Sequence, residues 1–236
     1  MTLTFARRTP TALLAAAMLT GCGSATQRAV TPAPQPSAAD GSHSAPAQGP
    51  LAAIAKARAD SIRYPYTGAD IQFMSAMIGH HAQAIAMSRL AESHGAMPAV
   101  RNLADRIISG QQDEISTMQQ WLRERRQPVP EARPGPRKMM MNGMEHEMMM
   151  PGMLTGDQLK QLDEARGKSF DRLFLTFMIQ HHRGAVSMVR DLFSSHGAAQ
   201  DETVFKFAND VNVDQSTEIA RMQKMLAALT LGISAP

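Results

Sequence analysis

The feature that most constrains this chain is an internal repeat. DIQFMSAMIGHHAQAIAMSRLAESHGA, from Asp70, returns as DRLFLTFMIQHHRGAVSMVRDLFSSHGA, from Asp171. A second segment, QQDEISTMQQWL from Gln111, returns as QSTEIARMQKML from Gln215. Both segments carry apolar residues at helical spacing, and both recur in the same order. The chain therefore holds two copies of one helical hairpin, each able to bury its apolar face only against the other.

Punctuation sets the helix limits. Thr67-Gly-Ala-Asp70 has the form of a capping box, and Gly95 is a left-handed stop, so the first helix runs from about Gly68 to His94. Pro98 suits the first turn of the second helix, which ends before Pro128. The third helix is expected from about Ser169 to Ser195 and the fourth from about Asp201 to Leu231. Leu51 to Ile62 fits a short extra helix, and Thr155-Gly-Asp-Gln158 opens another. The short connections at 95–97 and 197–199 make each pair antiparallel. No stretch shows convincing strand alternation. The expected fold class is all-α, a four-helix bundle of two repeated hairpins. Hairpin one spans 67–126, a long methionine-rich crossover 127–168, and hairpin two 169–231, within a domain at 51–236.

The N-terminus is an address rather than structure. Arg7 and Arg8 precede a short apolar stretch, Thr11 to Leu19, and Leu19-Thr20-Gly21-Cys22 follows. This resembles the bacterial lipobox, in which the cysteine is acylated and begins the mature chain. Residues 1–21 are thus expected to be a lipoprotein signal peptide. Acyl chains on Cys22 would anchor the protein to a membrane, and Gly23 favours outer-membrane sorting toward the periplasm. Residues 22–50, rich in Ala, Pro and Ser, are expected to form a disordered tether. Cys22 is the only cysteine, so the mature domain has no thiol for disulfides or metal ligation. The formal charge of +3 falls to +1 when Arg7 and Arg8 are removed. No basic stripe interleaved with aromatics is present, and nucleic acid is not an expected partner.

The pattern Met-x2-His-His-x5-Met occurs in both copies. Residues three, four and seven apart share a helix face. Met77, His80 or His81, and Met87 form one such stripe, and Met178, His181 or His182, and Met188 form its twin. Adjacent histidines diverge by about 100° on a helix. His80 and His181 align better with the flanking methionines and are favoured as core-facing. His81 and His182 then lie on the flank, within reach of a neighbouring helix. His80 lies about 18 Å from the start of its helix, near its middle, and His181 sits at the matching depth. Glu114 and Glu218, from the stripes Gln111/Glu114/Met118 and Gln215/Glu218/Met222, are placed to orient the far nitrogen of a ligating imidazole. Imidazole and thioether suit soft ions, Cu(I) first, with Cu(II) accepted by imidazole.

Methionine is also concentrated outside the repeat. MMMNGMEHEMMMPGM, residues 139–153, holds eight of the 19 methionines. A thioether-rich loop of Met139, Met140, Met141, Met144, Met148, Met149, Met150 and Met153 around His146 can wrap Cu(I) with little geometric demand. Unused methionines in an oxidising compartment are an oxidation liability. His94 and His196 precede glycines at helix ends, where a cationic imidazole suits the macrodipole.

These residues resemble a bacterial family catalogued as domain of unknown function 305. The resemblance rests on Phe-x3-Met-Ile-x-His-His-x2-Ala-x2-Met in both copies, the His-Gly after each first helix, and Gln-x2-Glu-Ile-x2-Met in each second helix. It covers roughly Tyr66 to Leu231. It implies a ferritin-like four-helix fold, an exported or membrane-associated location, and periplasmic copper binding through Met77, His80, His81, Met87, Met178, His181, His182 and Met188.

The expectation is thus a lipid-anchored copper-binding protein, not an enzyme, that stores, buffers or hands Cu(I) to a copper-handling partner. Two other readings use the same residues. One is a metal-free structural or interaction lipoprotein with methionine as core filler. The other is a di-metal oxidase, against which the lack of any Glu-x-x-His in the repeats counts.

Overall fold

The computed structural model describes residues 50–63, 65–135, 137–141 and 144–233. The expected signal peptide, Cys22 and the tether up to residue 49 lie outside the described residues.

Six helices are present among the described residues: α1 Pro50–Arg63, α2 Gly68–Ser93, α3 Pro98–Glu124, α4 Gly156–Glu164, α5 Gly167–Ser194 and α6 Glu202–Leu231. The fold class is all-α, with α2/α3 and α5/α6 packed as hairpins. The one departure is in the crossover. Arg137–Met141 and Met144–Met148 form two antiparallel strands, β1 and β2. The expectation of no strand is corrected there. Asn142-Gly143 lies between the strands in sequence, and Asn-Gly between two apolar runs is a strong hairpin signal. No described helix is long and apolar enough to cross a membrane.

Local chemistry explains the helix ends. The Thr67 hydroxyl accepts from the Asp70 N–H, and Asp70 accepts from the Thr67 N–H at 2.6 Å. Thr155 and Gln158 build the same reciprocal cap on α4. Gly95, at φ 68°, makes the left-handed exit from α2. Asp201 caps α6, and its carboxylate also accepts from Trp121 Nε1 at 3.0 Å and Arg125 Nη2 at 2.5 Å. That cluster ties the end of α3 to the start of α6.

Two cross-hairpin bonds fix the direction of the repeats. Asp70, in the first turn of α2, accepts from Ala199 N after α5 at 2.7 Å. Its repeat partner Asp171, in the first turn of α5, accepts from Met97 N after α2 at 3.1 Å. Each helix start is thereby bound to the other helix's exit, so α2 and α5 run antiparallel. They are also the inner pair. Fifteen of the 26 residues of α2 are buried, against eight of 30 in α6. α3 and α6 flank them, while α4 and residues 150–154 cover the far side of the α2–α5 seam.

The core is divided in two. One apolar cluster joins Met77, Met118, Met188 and Trp121, and the other joins Met87, Met178, Met222 and Met225. Between them lies a buried polar layer: His80, His81, His181, His182, Gln111 and Gln215. Polar groups in such a position are costly unless something satisfies them.

Candidate metal centre

The four histidines sit where the antiparallel inner helices cross, which brings the mid-points of the two repeats together. All four are 0% exposed. The sequence favoured His80 and His181 as core-facing and put His81 and His182 on the flank. The structure buries both pairs, in different settings. The rings of His80 and His181 face each other across the α2–α5 seam, with centroids 3.8 Å apart. His81 and His182 turn to the outer helix of their own hairpin. His81 Nε2 lies 2.7 Å from Glu114 Oε2, and His182 Nε2 lies 2.7 Å from Glu218 Oε2.

Those contacts set the chemistry of the opposite ring nitrogens. A carboxylate only accepts, so each Nε2–H donates to it, and in the neutral ring Nδ1 keeps its lone pair. Nδ1 of His81 and of His182 is buried without a partner. His80 repeats the logic with a backbone acceptor: its Nε2–H donates to the Pro151 carbonyl at 3.0 Å, and its Nδ1 is unpartnered. Neither nitrogen of His181 has a hydrogen-bond partner. The layer thus contains five buried imidazole nitrogens with nothing to bond. An unmet buried polar group costs about 1–3 kcal/mol. Burial, reinforced by the neighbouring His81 and His182, pushes His80 from 6.5 to about 3. Burial and then His80 hold His181 well below 6.5 as well. Neutral imidazole is the form that ligates metal.

Thioethers bracket the layer. Met77, Met87 and Met178 are 0% exposed and Met188 is 9% exposed. Antiparallel packing pairs Met77 with Met188 on one side of the layer and Met87 with Met178 on the other. Among the described residues, no three His, Cys, Asp or Glu side chains converge to hold an ion. An ion in the layer would therefore draw on imidazole nitrogens with thioether sulfurs completing the set.

The methionine block divides in a way the sequence did not foresee. Met139, Met140 and Met141 lie on β1, and Met144, His146 and Met148 on β2, with Met139 opposite His146 and Met141 opposite Met144. Met144, Met148 and Met149 are exposed. Met150 and Met153 are buried in the same apolar cluster as Met77 and Met188. They belong to the bundle core, not to a loose thioether loop. The expected single loop at 139–153 is corrected to a hairpin followed by a core-docked segment, because Pro151-Gly152 must pack flat against α5. His94 is buried and bonded to Ser93 and Asp163, while His196 is exposed.

The chain resembles known proteins over most of its described residues. The family model described as a domain of unknown function (DUF305) matches residues 70–226. A crystal structure of a DUF305 protein from Streptomyces coelicolor is 30% identical, covers 71% of this chain and 96% of that one, and superposes with a TM-score of 0.57. A DUF305 fragment from Deinococcus radiodurans is 26% identical, covering 69% and 98%, with a TM-score of 0.57. CopM in its Cu(II)-bound form is 30% identical, covering 67% and 95%, with a TM-score of 0.52. No curated protein matches the sequence. With the doubled His-His helices, the crossing they make and the family match all falling on the same span, this chain is a member of the DUF305 family.

Proposed function

We propose that this protein binds copper, Cu(I) in preference, in the polar layer at the middle of its bundle. The observation that carries the reading is the set of five unpartnered, buried imidazole nitrogens flanked by buried thioethers. Soft and borderline donors of this kind favour copper over hard cations. Glu114 and Glu218 hold two of the rings so that Nδ1 faces the interior, the arrangement by which a carboxylate orients a ligating histidine. The similarity to CopM, solved in a Cu(II)-bound form, supports copper as the ion. Copper here is cargo: the protein stores or buffers it, or hands it to a copper-handling partner.

The methionine hairpin is a second, more open station in this reading. Its residues Met139, Met140, Met141, Met144, His146, Met148 and Met149 would take Cu(I) first or hold the overflow. The lipobox at Cys22 would keep the protein on the periplasmic side of the outer membrane. Fatty-acid labelling of the expressed protein tests the anchor, and Cys22→Ala should abolish the label. A metal-free scaffold is the competing reading, favoured because no three His, Cys, Asp or Glu side chains cluster among the described residues.

Anaerobic Cu(I) titration against a competing chelator separates the two. The mature protein should bind tighter than micromolar. Replacing His80, His81, His181 and His182 together by Ala should remove the tight component, whereas unchanged binding would leave the bundle as scaffold. Deleting 137–148, rather than 139–153, isolates the hairpin, because Met150 and Met153 are core residues.

A further inference from the structure

The histidine layer is sealed on one side and approachable on the other. On the crossover side, Pro151 and Gly152 press against Gly184 so closely that an added Cβ there would meet the Pro151 carbonyl at 1.9 Å. Two grooves flank that contact, one at Gly79 and Met150 and one at Gly152 and Gly184, but no histidine of the layer lines either. On the opposite side, a cleft of about 250 Å³ opens between α3 and α6. It is lined by Gln111, Glu114, Asp214, Gln215, Glu218 and Arg106, among others. Through Gly110, Glu114 and Asp214 it is continuous with a wider trough of about 650 Å³, which adds Asp113 and Asp210 as well as Lys56 and Lys206.

Two independent observations point to a guest in this cleft. Gln111 and Gln215 are 4% and 2% exposed, and neither amide nitrogen nor amide oxygen of either has a partner. Two buried, unsatisfied amides facing each other's hairpin across one cleft fit a polar or charged visitor. Glu114 and Glu218 also straddle the wall. Their side chains are 22% and 24% exposed, while the histidines they bind are 0% exposed. Each carboxylate faces the cleft and touches the layer behind it. The inner cleft sets three acids against one arginine. Burial first, then Glu114, Asp210 and Glu218, raises the Asp214 carboxyl above its ordinary range, as expected where negative charge is crowded. Negative potential in a low-dielectric cleft concentrates cations.

We propose that the α3–α6 cleft is the inlet through which a cation reaches the histidine layer, with the Gln111 and Gln215 amides and the Glu114 and Glu218 carboxylates as successive oxygen contacts in transit. The proposal rests on the copper reading above. It adds the direction of approach and the residues that serve it. The cleft offers only oxygen donors, and no three of its acids converge on one point. It is therefore a passage for a soft ion, which is retained only beyond it.

Stopped-flow loading of the mature protein with Cu(I) from a weak chelator, followed by release to a strong one, tests this. Gly110 borders both the cleft and the trough, and a Cβ placed on it meets nothing within 4 Å. Gly110→Phe should overhang the opening. It should slow loading and release by the same factor, about tenfold, as a barrier raised by about 1.4 kcal/mol does, with the equilibrium affinity unchanged. Asp210→Asn combined with Asp214→Asn should slow loading by about tenfold at low salt and flatten its salt dependence. Wild-type rates in both variants would overturn the inlet while leaving the copper site intact. Copper binding left unchanged by the four-histidine substitution would remove the site and the inlet together. A thermal melt of each variant reports whether the bundle is intact.

Discussion

The two hairpins carry the same histidine motif but hold the crossover in opposite ways. Around His80-His81 the preceding residue is Gly79 and the one two places beyond the pair is Gln83. Around His181-His182 these positions are Gln180 and Gly184, so glycine and glutamine are exchanged. Gly79 leaves room for Met150 and the Arg133 carbonyl, and Gln83 grips the Leu154 backbone with bonds of 3.1 and 2.7 Å. In the second copy Gln180 reaches the Gly152 carbonyl at 3.3 Å, while Gly184 lets Pro151-Gly152 lie directly on the helix. One strand of chain must cover two helices running in opposite directions, so it meets the two copies in reverse order. The cost of this arrangement falls on symmetry: His80 gains the Pro151 carbonyl as a partner and His181 gains none. Duplication made the donor set, and the single crossover made its two halves unequal.

The sharpest way to break this comparison is at the two glycines. At Gly184 an added Cβ would meet backbone atoms at 1.9 to 2.6 Å, which no rotamer change can relieve. Gly184→Ala should destabilise the bundle by about 3 kcal/mol, at the upper end of overpacking costs. At Gly79 the nearest atoms are 3.5 Å away, ordinary contact, and alanine is the better helix former by about 1 kcal/mol. Gly79→Ala should therefore be neutral or slightly stabilising. Urea denaturation of the two variants measures the difference directly, and equal stability would mean the crossover is not seated as described.

Acid should act next most strongly. His80 and His181 titrate lower in the folded protein than in the unfolded chain, so the unfolded state takes up protons first as pH falls. The destabilising uptake of protons by the unfolded chain is absent above about pH 6.5; for His80 it grows as pH falls toward the folded value of about 3, and His181 acts in the same direction. Each histidine should remove about 1.4 kcal/mol of unfolding free energy per pH unit below pH 6. His181→Asn should halve that slope. A slope that is the same in the variant would show that His181 is not buried in its neutral form.

Much of this fold was legible in the sequence because its signals are local. The capping boxes at Thr67 and Thr155 and the glycine stop at Gly95 are short-range patterns. So are the alternatives for each histidine, since an adjacent pair on a helix must diverge. The pairing of His81 with Glu114 and of His182 with Glu218 was foreseeable once the hairpin register was known. What was not legible depended on contacts between distant segments. Asp70 and Asp171 sit in first turns, where a carboxylate ordinarily serves only its own helix, yet each bonds the exit of the other hairpin's first helix. The methionine block hid its strands because methionine carries little β preference, and the Asn142-Gly143 turn signal sits inside a run that otherwise reads as a loop. Gln111 was seen as part of a stripe, but only the packing shows that it and Gln215 face a cleft with no partner.

The unequal surroundings of the two motifs should also be measurable at the metal. His80 can ligate through the unpartnered Nδ1 while its Nε2–H stays on the Pro151 carbonyl, whereas His181 has no hydrogen bond to orient its ring. Replacing His80 by Ala should therefore weaken Cu(I) binding more than replacing His181, by about tenfold, the scale on which a supporting contact tunes metal affinity. Equal losses would mean that the Pro151 contact does not orient the ring for the metal.

The smallest effect separates the two glutamines. Gln83 is 2% exposed and satisfies both the N–H and the carbonyl of Leu154. Gln83→Ala strands both groups in the core and should cost about 2 kcal/mol. Gln180 is half-buried and makes a single longer bond to the crossover backbone. Water can replace that bond, so Gln180→Ala should cost less than about 1 kcal/mol. Hydrogen exchange at Leu154 N–H gives the same contrast at one atom: protection should drop in Gln83→Ala and persist in Gln180→Ala. If both variants lose it alike, the crossover is held as one rigid unit by either glutamine, and the exchanged glycine–glutamine pairs are a consequence of the fold rather than its fastening.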